Sequence, residues 1–141
     1  MNKKTILQGV LAVVFVGLFA LILYFVLGNP VVDTSQVTSG YAYGINGETR
    51  QVAKEQLSSD DVDKVAAIFN GKEKSSKSPG DIFSEDCAFA LSDGDSEYYF
   101  CIALDESNFV LSANDDMYFE ITEEEKDVLL DLLGDYCGYR G

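Results

Sequence analysis

The side chains in this chain that could do chemistry are thiols, carboxylates and phenols. Three cysteines, Cys87, Cys101 and Cys137, stand in its second half, and there is no histidine. Without histidine there is no Ser-His-Asp triad, no Cys-His pair and no His-ligated metal. The cysteines do not form C-x-x-C, so thioredoxin-like exchange is unsupported. Asp93, Asp95, Asp115 and Asp116, with Glu97 close by, fall in two turn-like stretches. Clustered carboxylate oxygens are what calcium binds, which makes these four aspartates weak metal candidates. No twelve-residue calcium loop accompanies them, and turns favour Asp for conformational reasons alone. Two positioned carboxylates could serve a hydrolase. Many pairs exist and context distinguishes none, so no catalytic residue is assigned. No Gly-rich phosphate loop appears, and no cofactor is expected. Tyr98, Tyr99 and Tyr118 remain as a candidate binding face, because aromatics rimmed by acid are typical of protein-recognition patches.

These residues need elements to position them. Four strand-like runs cover about 87–91, 98–104, 108–113 and 117–121, separated by hairpin-length turns, and predict a four-stranded antiparallel meander. In the last hairpin a three-residue loop, Asn114 to Asp116, puts Phe109, Leu111, Phe119 and Ile121 on one covered face. Tyr118, Val110 and one of Tyr98 or Tyr99 then lie on the open face. In the first hairpin an odd loop centred on Gly94 sets Cys87 opposite Cys101, where a cross-strand disulfide could form. An even loop instead gathers Cys87, Phe89 and Leu91 with Tyr98, Phe100 and Ile102, and sends the two thiols to opposite faces. Both remain open, as do pairings with Cys137. Helices flank the meander. Ser58 and Asp61 cap the first, whose stripe is Val62, Val65, Ala66 and Phe69. Thr122 and Glu125 form a capping box for the last, with Val128, Leu129, Leu132 and Leu133 buried and Gly134 as the stop. The expected class is α+β, with both helices on one sheet face. Residues 71–80 read as a flexible loop. Tyr41 to Ile45, Asn46-Gly47 and the polar arm 48–52 read as a weak hairpin.

The chain has 141 residues, 10 Lys plus Arg and 24 Asp plus Glu, for a net charge of −14. All the acids follow Pro30, with eight basic residues, so that part carries −16. Such a chain repels phosphate backbones, so no nucleic acid is expected as partner. At the start, Lys3 and Lys4 precede 28 uncharged residues. From Ile6 to Leu27 they are almost wholly apolar, and as a helix they would rise about 33 Å, near a bilayer's hydrocarbon thickness. That predicts a transmembrane signal-anchor over residues 1–28, ended by Asn29-Pro30, with the amino terminus cytoplasmic and the rest outside the cell membrane. The competing reading is a leader cleaved near Val26-Leu27-Gly28. Residues 29–56 then form a tether, and 57–141 an extracytoplasmic domain.

The runs Cys87-Ala88-Phe89, Phe100-Cys101-Ile102-Ala103-x-Asp105 and Tyr118-Phe119-x-Ile121-Thr122-Glu123-Glu124-Glu125 resemble small membrane-anchored or secreted extracytoplasmic domains of unknown function from Gram-positive bacteria. The resemblance implies an oxidised hairpin and a cell-surface setting, and carries no site residues over. The functional expectation is a protein-binding module in an envelope or membrane complex, held by its membrane helix, with an unidentified and basic protein partner. A secreted domain is the alternative and a carboxylate-based hydrolase the third reading.

Overall fold

The computed structural model describes residues 3–27, 30–80 and 82–141, so Gly28 and Asn29 of the expected cleavage and helix-stop signals lie outside the described residues. The chain forms two compact units, Met1–Pro30 and Val31–Gly141. The first is helix α1, Lys3–Leu27. Among the described residues no helix is long and apolar enough to cross a membrane, which overturns the expected transmembrane span. Beyond Lys3, the described side chains of α1 cover only residues 8–19. Val10, Leu11, Val13, Phe15 and Phe19 among them are exposed.

The second unit is a six-stranded antiparallel sheet carrying two helices. Its elements are β1 Ser39–Ile45, β2 Val52–Gln56, α2 Ser59–Phe69, β3 Ala88–Ser92, β4 Glu97–Ile102, β5 Phe109–Ser112, β6 Met117–Glu120 and α3 Glu123–Cys137. The sheet order is β2-β1-β3-β4-β5-β6. The expected four-stranded meander is therefore corrected to six strands: much of the supposed tether is sheet, and β1 is an interior strand. Its inward residues explain why it read as peripheral. Gly40, Ala42 and Gly44 are buried but small, and give almost no hydrophobic signal. Their smallness lets Leu57, Leu91 and Cys137 lean directly on the strand. Asn46-Gly47 does not make a two-residue turn. Tyr41↔Gln56 to Ile45↔Val52 pairing leaves 46–51 as the loop, in which the Asn46 carbonyl oxygen Oδ1 accepts from the Glu48 and Thr49 amides.

Both helix caps form as the residue pattern demands. The Ser58 hydroxyl accepts from the Asp61 amide, and Thr122 and Glu125 make the reciprocal capping box. Helix α3 continues past Gly134 to Cys137, and Gly138, with φ 71°, supplies the left-handed cap. The two helices are tied by Tyr136, whose hydroxyl accepts from the Ser58 amide and donates to Asp61. Between helices and sheet, Phe69 of α2 stacks on Phe100 at 4.5 Å and meets Phe119 edge-on at 5.7 Å. Phe89, Leu91, Ile102, Val110, Leu129 and Leu133 complete this core. Residues 71–80 are not free of the fold, since the Ser75 amide donates to the Tyr118 carbonyl at 2.7 Å, along the β6 edge.

Registers decide the two faces. Strand β3 pairs with β4 as Ala88↔Cys101 and Phe89↔Phe100, which is the even-loop arrangement, with Asp93 to Ser96 as the turn. Successive strand residues alternate faces, so Cys87 points to the helices and Cys101 away from them. All three cysteines are free thiols, which overturns the expected disulfide. Strand β5 pairs with β4 as Phe100↔Ser112 and Ile102↔Val110, so Val110 and not Leu111 joins the core. Strand β6 follows with Ser112↔Met117 and Val110↔Phe119, a four-residue loop in place of the expected three. The register of the last hairpin is thus set by β4, not by its own apolar count. The buried Ser112 hydroxyl that results is satisfied by Asp115 at 3.1 Å.

Candidate functional site

Within Val31–Gly141, both helices pack on the Phe89–Phe100–Phe119 face. The opposite face carries Tyr41 and Tyr43 of β1, Ala88 and Ala90 of β3, Tyr99 and Cys101 of β4, Leu111 of β5 and Tyr118 of β6. Ala88, Ala90 and Cys101 are fully covered by taller neighbours, whereas the tyrosines and Leu111 are half-buried. Small residues thus make a floor and tyrosines the walls. Tyr43 and Tyr99 rings lie 5.3 Å apart, tilted by 46°. Across the sheet, Phe83, from the segment before β3, stacks on Tyr118 at 5.4 Å. Lys54 of β2, paired with Tyr43, places its Nζ 4.5 Å from the Tyr41 ring centre and 5.5 Å from that of Tyr43. Glu97 projects on this same face.

Two of the three tyrosines expected from sequence, Tyr99 and Tyr118, are on this face. Tyr98 is not: it pairs with Leu91, packs against the core, and donates its hydroxyl to Asp93 at 3.2 Å. Val110, expected beside Tyr118, is buried under the helices. Tyr41, Tyr43 and Phe83 were missed. The alternation of Tyr41-Ala42-Tyr43-Gly44 was the available signal, but without β1 inside the sheet it pointed at nothing.

The other candidates are placed as follows. Asp93 and Asp95 share a turn in which Asp93 Oδ1 accepts from the Asp95 and Ser96 amides, which holds its carboxyl below the usual range. Asp115 receives the Ser112 hydroxyl, and Asp116 has φ 48°. The two turns are bridged by Asn114, which donates to the Glu97 carbonyl and accepts from the Tyr99 amide. Among the described residues no three metal-ligating side chains converge. Burial pushes the Cys101 and Cys137 thiols up to about 11 and raises Cys87 as well. Thiols so disposed are poor nucleophiles at neutral pH.

A cleft of about 690 Å³ lies between the loop after β4 and α3, with Asp105, Glu106, Glu123, Asp127, Leu130 and Tyr139 in its walls. Lys126 in the same cleft is only 7% exposed, and its ammonium donates to the Asp105 and Ser107 carbonyls. It fastens the loop to the helix. A hydrolytic pair needs one carboxyl held protonated. The Ser107 hydroxyl and amide instead make Asp105 more acidic. No known protein family, curated protein or solved structure matches this chain.

Proposed function

We propose that this protein is a protein-binding module whose contact surface is the tyrosine-walled face of the sheet. One observation carries the reading: the sheet face on which neither α2 nor α3 packs presents Tyr41, Tyr43, Tyr99, Tyr118, Phe83 and Leu111 as half-buried neighbours around a floor of small residues. A solvated sheet face is ordinarily polar. Tyrosines suit recognition because they bring large, stiff contact area with a polar tip, at little cost in side-chain entropy. The net charge of −14 favours a basic partner through long-range steering. The test is site-specific photo-crosslinking of the full chain in its native cells. A photoreactive residue at Tyr118 should give a defined adduct that the same residue at exposed Asp131, on α3, does not. Identical adducts from both positions, or none from Tyr118, would sink the reading.

A further inference from the structure

The open face already holds a cation, and that cation is the chain's own. Lys54 Nζ lies within cation–π range of two rings, at 4.5 Å and 5.5 Å. Other lysines of this unit, Lys64, Lys72 and Lys77, pair with carboxylates. Lys54 has rings in that place, and no carboxylate within ion-pair distance among the described residues. It stands on β2, the sheet's edge strand, and is exposed. Its side chain is thus free to swing away without disturbing the core. Behind it the rings continue, since Tyr43 leans on Tyr99. A carboxylate stands on the same face: Glu97 lies two residues before Tyr99 on β4.

We propose that Tyr41, Tyr43 and Tyr99 form a receptor for a cationic side chain of a basic protein partner, preferring arginine, and that Lys54 is the resident occupant which the partner displaces. The proposal rests on the open face being the binding surface and assigns the partner's chemistry. Charge complementarity supports it twice. The ring faces are negative by their quadrupole, and Glu97 with the chain's net charge of −14 raises local cation concentration. Arginine gains over lysine because its planar guanidinium stacks on aromatic faces and sheds water more readily. The resident lysine is the weaker kind of ligand, and it competes through its tether to the chain, so removing it should strengthen arginine binding.

The experiment titrates the full chain with an arginine-bearing Gly-Ser peptide and with its glutamine counterpart, read by NMR shifts of the tyrosine rings. Removing the internal competitor in Lys54→Met should tighten the arginine peptide by about threefold or more, and Tyr43→Leu should weaken it by a similar factor. Tyr43→Phe keeps the ring and should stay within about twofold of wild type. Lys64→Met, an equal loss of charge elsewhere, should leave affinity nearly unchanged. Equal tightening by Lys54→Met and Lys64→Met would show bulk charge alone and overturn the proposal. So would absence of arginine-peptide binding to both wild type and Lys54→Met. Binding that is weakened by Tyr118→Ala but indifferent to Tyr43→Leu would overturn it too, while leaving the face itself as the binding surface.

Discussion

At Gly44 the backbone of β1 has room for hydrogen only. A Cβ there would lie 2.9 Å from the Cys137 Cβ and 3.3 Å from the Tyr139 Cβ, both fixed close to backbone. Gly40, four residues earlier, is different: its nearest obstacle is the far end of Leu91, at 2.8 Å, which can turn aside, and the backbone oxygen of Ala90 follows at 3.1 Å. Gly44→Ala should therefore cost about 1–3 kcal/mol, and Gly40→Ala less. Urea unfolding of both variants checks the order, and a milder effect at Gly44 than at Gly40 would contradict it. The thiol beside Gly44 makes a second case. Cys137 is 2% exposed, with its Sγ 3.5 Å from the Ala42 carbonyl, and Cys101 is 3% exposed. Burial holds both thiols near 11, against an ordinary 9.0. At pH 7.5, Ellman's reagent should label all three cysteines no faster than the protein unfolds. A thiol that reacts within the mixing time would refute the burial argument at that residue.

Elements announce themselves where local chemistry suffices and stay hidden where a neighbour decides. Helices α2 and α3 were legible because their caps are local: Ser58 to Asp61 and Thr122 to Glu125 are contacts three residues apart. Thr122→Ala should accordingly destabilise the protein by about 1 kcal/mol, seen as a lower denaturation midpoint with an unchanged slope. The end of α3 was not legible, since Gly134 resembles a stop. What carries the helix onward is long-range: Tyr136 reaches Ser58 and Asp61, and Cys137 fills the space over Gly44. Strands β3 to β6 were legible as strands, yet the register of β5 on β6 was not, because β4 imposes it across the sheet. Strand β1 failed for a different reason, its inward residues being glycine and alanine. The candidate site inherited both errors. Tyr99 and Tyr118 could be read from alternation, whereas Tyr41 and Tyr43 could be placed only once β1 was known to lie between β2 and β3.

At the scale of the whole molecule, charge and burial act together above neutral pH. The chain carries −14 before any thiol or phenol ionises, so each new anion adds self-repulsion to its desolvation cost. Burial raises Cys101 and Cys137 to about 11 and Tyr139 to about 12, above ordinary values of 9.0 and 10.0. A group whose acid form is favoured by folding contributes stability that is complete below its unfolded pKa. That contribution is lost as pH rises through the folded one. The thiols therefore predict a stability plateau to about pH 9 and a decline between 9 and 11, with Tyr139 extending the decline from 10 towards 12. Urea unfolding at intervals from pH 7.5 to 11 measures it. Alanine at Cys87, Cys101 and Cys137 removes all three thiol titrations while leaving Tyr139, so the triple variant should hold its plateau further up before falling. Equal slopes for wild type and variant between pH 9 and 10 would show that the buried thiols are not what the fold loses first in alkali.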